Sequence, residues 1–186
     1  GQGSLNWTVY ANDSFGNVGF AVTSFNVDSI APVVQFVNPT LVSGISISSL
    51  SFAVNVTATD LNLANITVYL YNSTSLINRT VVFSSPAFVN YSSLADGIYF
   101  FNSTAYDYFG NFNSTETRNL TLDFTAPGVS IISPRIISYF NNNSILVNIS
   151  YTGASNVWFF NGTGNESYSS PVYRNFGTGS NTLFAM

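Results

Sequence analysis

Asparagine followed by any residue except proline, then serine or threonine, is the acceptor pattern for N-linked glycosylation. It dominates the chemistry that this chain offers. Of 24 asparagines, 14 head such a triplet: Asn6, Asn12, Asn55, Asn65, Asn72, Asn78, Asn90, Asn102, Asn113, Asn119, Asn142, Asn148, Asn161 and Asn165. Serine and threonine together make up 44 of the 186 residues. At that density chance gives roughly 6 such triplets. Asn, Ser and Thr are also common turn residues, which accounts for Asn113 or Asn161. Turns do not account for Asn55, Asn65, Asn102, Asn119 and Asn148, which fall inside alternating strand patterns where asparagine is depleted. Alternation puts these five on an outward face, where a sugar is attached without disturbing a core. Glycans there would supply the hydration that surface charges usually give and would shield edge strands. Covalent N-linked glycans are therefore expected, and no cofactor is.

Other chemistry is excluded by what is missing. The chain has no Cys, no His and no Lys. Disulfides, thiolate or imidazole metal sites, His- or Cys-based catalysis and Lys–Asn cross-links are all ruled out. Four scattered arginines (Arg79, Arg118, Arg135, Arg174) in a chain of net charge −4 give no basic patch for nucleic acid. Asp28 and Asp123 lie beside the module junctions proposed below, and Asp13, Asp60, Asp96 and Asp107 lie near strand ends. Calcium needs about 6–8 oxygen ligands, and no Asp-x-Asp cluster exists. Turn and linker capping is the expected role, and no metal site is expected, though calcium at the junctions stays open. The carboxylates form no compact pair in the sequence and no Gly-x-Ser-x-Gly elbow occurs, so no enzyme activity and no catalytic residue are expected. Two carboxylates meeting only in space, as in glycosidases, would escape this reading. Among the aromatics, Tyr69, Tyr71, Tyr106, Tyr108, Trp7, Trp158 and Phe160 are candidates for a sugar-stacking platform. Trp7 aligns with an inward-facing set and is expected in a core. Trp158 and Phe160 fall outward and suit an interface.

The elements that position these residues are strands. Hydrophobic residues make up 46% and aromatics 16% of the chain, ample for a core, while charged residues are only 6%. That lies far below the roughly 25% of ordinary soluble domains. No run approaches the roughly 18 apolar residues of a membrane-spanning helix, and disorder is excluded by the abundance of aromatic and β-branched residues. No segment has 3.6-residue amphipathic periodicity.

A repeat sets the organisation. Asp13, Phe15-Gly16-Asn17, Asp28 and Ala31-Pro32 recur as Asp107, Phe109-Gly110-Asn111, Asp123 and Ala126-Pro127 at offsets of 94 to 95 residues, and Pro39 recurs as Pro134. A fixed period means an array of similar modules. Residues 1–31 read as the C-terminal strands of one module, with Leu5, Trp7, Val9 and Ala11 alternating against polar neighbours. Residues 32–126 read as one complete module, with strands at 33–37, 52–59, 65–71, 79–83, 87–91, 99–106 and 118–124. Residues 127–186 read as the N-terminal strands of a further module, with Ile145, Val147, Ile149 and Tyr151 inward and Val157–Phe160 matching Ile66–Tyr69. A chain that opens inside one strand pattern and stops inside another is expected of a mature or partial chain cut from something longer. The fold class is all-β, with tandem immunoglobulin-like β-sandwich modules of about 95 residues. Asp96-Gly97-Ile98-Tyr99 falls where such folds place a tyrosine corner, and Phe101 should fill the core space that a disulfide occupies in antibody domains.

Gly-x-Tyr, Ala-x-Asp, Phe-Gly-Asn and Asp-x-x-Ala-Pro resemble the bacterial and archaeal Ig-like repeats of large cell-surface proteins. The resemblance implies an extracellular, cell-surface stalk, adhesin or filament subunit in tandem copies. Joined with the residue-level reading, it yields a structural subunit of a glycosylated extracellular filament or surface stalk. Such a subunit would polymerise head-to-tail with copies of itself, its half-modules completed by a neighbour or by the continuing chain. The alternative is an adhesin or carbohydrate-binding module with a cell-surface or glycan target.

Overall fold

The computed structural model describes residues 2–135, 143–177 and 184–185. It divides into two compact units, Gly1–Phe124 and Thr125–Met186. Every regular element among the described residues is a β-strand.

The first unit opens with a hairpin of β1 (Gly3–Asn12) and β2 (Val18–Val27), paired without interruption from Gly3↔Val27 to Asn12↔Val18. Its turn is built by Asp13. The carboxylate accepts from the Phe15 N–H at 3.0 Å, the Asn17 N–H at 2.9 Å and the Asn17 Nδ2 at 2.8 Å. Gly16 takes a φ of +88° that the closing residue of this turn requires.

The remaining strands of this unit are β3 (Val33–Val37), β4 (Ile45–Ile47), β5 (Phe52–Thr59), β6 (Leu63–Tyr71), β7 (Leu76–Val82), β8 (Ala87–Tyr91), β9 (Gly97–Asp107), β10 (Phe112–Ser114) and β11 (Arg118–Leu122). They form two sheets, one ordered β3-β5-β8 and the other β4-β11-β9-β6-β7, with β10 also on β9. Strict alternation supplies the core between them. Phe52, Val54, Val56 and Ala58 come from β5, Ile66, Val68 and Leu70 from β6, Tyr99, Phe101 and Ala105 from β9, and Leu120 and Leu122 from β11. Each buried Val, Leu, Ile or Phe among them contributes roughly 1.5–3 kcal/mol by leaving water. Phe101 is fully buried with its ring 5.5 Å from both Phe36 and Phe52, filling the position expected of it. The Tyr99 hydroxyl donates to the Ala95 carbonyl at 2.9 Å, which is the tyrosine corner. This is a β-sandwich of immunoglobulin-like design. The sequence pattern missed β4, a three-residue strand that crosses to the second sheet and pairs parallel with β11. Three residues are too few to display periodicity.

The hairpin β1–β2 is a structural copy of β9 with β10 and β11. Asp107 accepts from the Phe109 N–H, the Asn111 N–H and the Asn111 Nδ2 at 2.9, 2.8 and 2.7 Å, as Asp13 does from Phe15 and Asn17. The registers coincide as well. Leu5↔Phe25 corresponds to Tyr99↔Leu120, Trp7↔Thr23 to Phe101↔Arg118, and Tyr10↔Phe20 to Thr104↔Ser114. Burial does not coincide. Phe101 is 0% exposed, whereas Trp7, its counterpart, is 65% exposed, and Leu5 and Val9 stand open beside it. The expectation that Trp7 packs in a core is therefore corrected. Alternation identified the face, but no second sheet among the described residues covers it.

The second unit contains β12 (Gly128–Ser133), β13 (Ser144–Thr152), β14 (Trp158–Phe160), β15 (Asn165–Ser167), β16 (Val172–Asn175) and β17 (Phe184–Ala185). Sheet β12-β13-β16 repeats the order of β3-β5-β8, and the other sheet is β15-β14-β17. Its core gathers Val147, Ile149, Val157, Phe159 and Tyr168. Trp158 points outward, as its alternation with buried Phe159 requires. Tyr151, expected inward, is exposed at the end of β13, where its ring meets Tyr168 edge-on at 6.4 Å. Strand β17 pairs on the edge of β14 that corresponds to the one β9 occupies on β6.

Candidate functional site

Thirteen of the fourteen sequon asparagines lie among the described residues, and Asn142 lies outside them. None of the thirteen is buried. Asn6 and Asn12 stand on the open hairpin. Asn78, Asn90, Asn113 and Asn165 are exposed at strand edges and ends. Two behave as turn formers: Asn72 Oδ1 accepts from the Thr74 and Ser75 N–H groups at 2.9 and 2.7 Å, and Asn161 Oδ1 from Thr163 and Gly164 at 2.9 and 3.0 Å. Both are Asx turns, so the ordinary conformational role is filled there. Asn148 is half-buried, and its Oδ1 accepts from the Tyr168 hydroxyl at 3.3 Å.

Asn55 is different from the rest. It sits on the outward side of β5, but its Nδ2, the atom a sugar would join, donates to the Asn38 carbonyl at 2.8 Å. Its Oδ1 is buried without a hydrogen-bond partner. Alternation reported the direction of the side chain and missed the turn at Asn38-Pro39 that folds over it.

Asn65, Asn102 and Asn119 share one surface, the outer face of β6, β9 and β11. Strand register fixes their neighbours. Asn65 is directly across from Tyr106, Asn102 from Tyr69, and Asn119 from Phe100. Tyr71 lies across from Phe100 and Phe112 across from Tyr106, which extends the aromatic surface in both directions. The Tyr69 and Tyr71 rings stack at 6.3 Å, and those of Tyr106 and Phe112 lie 5.6 Å apart. Burial by its neighbours, followed by the adjoining Tyr69 hydroxyl, raises the Tyr106 phenol above its ordinary pKa. Thr67, between the rows of Tyr69 and Tyr106 on this outward face, is 0% exposed. The face is thus a second, thin apolar layer laid over the sheet. Of the aromatic platform named from sequence, Tyr69, Tyr71 and Tyr106 come together here. Tyr108 is exposed in the following turn, and Trp7, Trp158 and Phe160 lie on other strands.

The fold also gathers Asp28, Asp60 and Asp107, each offering a carboxylate oxygen within 4.8 Å of the others. They are far apart in sequence and meet because the residues just after β2 and β5 and the last residue of β9 converge. Much of their capacity is already used. Asp28 accepts from Asn62 Nδ2 at 2.7 Å and from the Ile30 N–H at 3.0 Å, and Asp60 from the Asn62 N–H at 2.7 Å. Asp107 holds its turn, and Asn111 Nδ2 also donates to the Asp28 carbonyl at 3.1 Å. The Ile30 N–H is the chief cause of a lowered Asp28 carboxyl pKa. Three carboxylates supply about half of the 6–8 oxygens calcium takes. Capping is what the hydrogen bonds demonstrate. A local search for Asp-x-Asp misses this trio; placing strand ends on the sandwich would have found it.

A shallow concavity in the second unit is lined by Tyr151, Ala154, Val157, Trp158, Ser167 and Tyr168, with no carboxylate or arginine among its walls. Among the described residues no helix is long and apolar enough to cross a membrane.

Neither a protein-family model nor a curated protein sequence matches the chain. Among solved structures, the fibronectin(III)-like modules of CbhA from Clostridium thermocellum align over 83% of this chain and 78% of theirs, at 15% identity and a TM-score of 0.41. A crystal structure of an engineered protein aligns over 50% of this chain and 20% of its own length, at 17% identity and a TM-score of 0.40. The all-β, sandwich-based fold class rests on the two-sheet packing described above.

Proposed function

We propose that the chain is a structural segment of a glycosylated extracellular filament or cell-surface stalk, built from Ig-like repeats of the kind found in large bacterial and archaeal surface proteins. It has no catalytic role. The single observation that carries this reading is the hairpin β1–β2. It repeats the closing strands of a sandwich in turn chemistry and register, yet presents Leu5, Trp7, Val9, Phe25 and Val27 to solvent. An isolated two-stranded hairpin is marginal in water, and an apolar face of this size marks an interface. The complementary half is a β12-β13-β16 and β14-β15 half-sandwich, supplied by a neighbouring copy or by the continuing chain. By the repeat, β1 then adds to the β14 edge as β9 adds to β6, displacing the two-residue ladder with β17. Such contacts are head-to-tail and propagate without closing. The sequon asparagines at the surface support export and a carbohydrate coat. The Asp28-Ser29-Ile30-Ala31-Pro32 linker, anchored through Asp28 to Asn62 and Asn111, limits bending at the junction.

Sedimentation velocity of the full chain at micromolar to submillimolar concentration tests the reading. Association that grows with concentration and disappears in Trp7→Asp is expected. A monomer at every concentration, equal to Trp7→Asp, excludes completion by a neighbouring copy.

A further inference from the structure

Each sequon asparagine on the outer face of β6, β9 and β11 is directly opposite an aromatic residue on the next strand: Asn65 with Tyr106, Asn102 with Tyr69, Asn119 with Phe100. Directly opposed side chains in an antiparallel pair have Cβ atoms about 4.5–5.5 Å apart on the same face. Away from this face the pairing is mixed: Asn6 is opposite Ser24, Asn12 opposite Val18, Asn78 opposite Leu70, Asn90 opposite Ala53 and Asn113 opposite Ala105, while Asn55 is opposite Phe88 and Asn165 opposite Phe160. The geometry points to a role for these aromatics that rests on the glycosylation reading above and specifies it. We propose that Asn65, Asn102 and Asn119 are occupied sequons, and that the first sugar ring on each lies across the aromatic side chain opposite.

Attachment itself is an ordinary substitution. The Asn Nδ2 forms a bond to the anomeric carbon of a phosphate-activated oligosaccharide donor. The bond from that carbon to the phosphate oxygen breaks, the phosphate departs with the electron pair, and one amide proton is lost. The amide nitrogens suit this unequally. Asn102 Nδ2 donates to the side-chain hydroxyl of Thr117 at 3.0 Å, a rotatable group, whereas Asn55 Nδ2 is held by the Asn38 backbone carbonyl. Asn55 is opposite Phe88 but lacks the free amide, so it falls outside the proposal.

A pyranose ring presents polarised C–H bonds on one face and hydroxyls around its rim. Its C–H face is a partner for the negative face of an aromatic ring. Tethered one residue away, it makes that contact at high effective concentration. The result covers an apolar surface that would otherwise face water and replaces the charges missing from this sequence. It also explains why the outer side of a two-sided sheet carries Tyr69, Tyr71, Phe100 and Tyr106, where alternation ordinarily places polar residues.

The test expresses the full chain in a host whose N-glycans begin with N-acetylglucosamine, maps every sequon by glycopeptide mass spectrometry, and measures a thermal cycle on four glycoproteins: wild type, Asn102→Gln, Tyr69→Ala and the double variant. Occupied Asn65, Asn102 and Asn119 are expected. Asn102→Gln should lower the melting temperature by about 3 °C in the wild-type background and by under about 1 °C with Tyr69→Ala. Tyr69→Phe keeps the ring and should keep the wild-type effect, which separates stacking from the Tyr69 hydroxyl's contact with Tyr106. An occupied Asn102 whose loss costs the same in both backgrounds overturns the stacking proposal and leaves glycosylation standing. Glycans at Asn6, Asn12, Asn90 or Asn113 with Asn65, Asn102 and Asn119 bare overturn it equally. A chain bare at every sequon overturns the glycosylation reading itself. Tyr69-dependent binding of free oligosaccharide by a chain bare on this face identifies a platform for foreign carbohydrate instead, and contradicts the proposal.

Discussion

Replacing Phe101 and Trp7 by alanine, one at a time, separates a completed sandwich from an uncompleted one. The two residues occupy equivalent positions in strands of the same register, opposite Arg118 and Thr23. Phe101 is fully buried, wedged between Phe36 and Phe52 with ring centroids 5.5 Å from each. Its truncation loses the transfer of a whole phenyl ring and leaves a cavity between two packed sheets, a cost of about 3–5 kcal/mol. For a sandwich of this size each kcal/mol moves the midpoint by about 4–8 °C, so a fall of about 12–40 °C is expected. Trp7 is 65% exposed, and among the described residues no facing sheet covers it. In dilute, monomeric chain its truncation should stay within about 0.5 kcal/mol. Thermal and urea denaturation followed by far-ultraviolet circular dichroism, at low micromolar concentration, measure both. Equal losses would refute the reasoning, since the hairpin would then be packed like β9. A Phe101→Ala loss under about 1 kcal/mol would refute the two-sheet core.

Three further outcomes follow from particular contacts. Tyr99→Phe removes the 2.9 Å hydrogen bond to the Ala95 carbonyl and leaves the ring in place, so urea denaturation should report a loss of about 1 kcal/mol with an unchanged m-value. Asp107→Ala removes a buried carboxylate that accepts from the Phe109 and Asn111 N–H groups and should cost about 2 kcal/mol, whereas Asp13→Ala in the exposed copy of that turn should leave the sandwich midpoint unchanged. Carboxyl pKa values are held low at Asp13 by Asn17, at Asp28 by the Ile30 N–H, at Glu116 by Arg118 and at Glu166 by Arg174. A lowered folded pKa contributes stability that is complete above the ordinary values of 3.8 and 4.5 and is lost as pH falls through the lowered ones. Melting midpoints should therefore hold steady from about pH 7 to 5 and decline below about pH 4. A midpoint that rises toward pH 3 would contradict this.

Long alternating segments were legible because burial on one face writes a period of two into the sequence. Phe52–Thr59, Asn65–Tyr71 and the strand through Tyr99 and Phe101 were read to within about two residues, and the tyrosine corner followed from Gly97 and Tyr99. Short elements were not: β4 and β10 hold three residues each, fewer than one clear alternation. Trp7 shows a different limit. Periodicity tells which residues share a face but not whether anything covers that face. The Asp28–Asp60–Asp107 cluster and the Asn–aromatic pairs depend on register and on which strand ends meet. Those are properties of the assembled sheets, and single-strand patterns do not contain them. The contact of Asn55 with the Asn38 carbonyl was invisible for the same reason, because that neighbour arrives from another part of the chain.

On the function proposed above, the open face of β1–β2 is one half of a sandwich interface, closed by a half-sandwich of the second unit's type. The absence of cysteine from the chain makes a direct measurement possible. Tyr69 and Asn102 are opposed across β6 and β9, and their counterparts by the repeat are Phe160 and Thr8. Two preparations, Thr8→Cys and Phe160→Cys, are mixed under mild oxidation and run on a non-reducing gel. A Thr8–Phe160 heterodimer is expected to form faster than either homodimer and to be lost when Trp7→Asp is added to the first chain. Cross-linking at the rate of a control pair such as Thr8→Cys with Ser92→Cys, unaffected by Trp7→Asp, would contradict it.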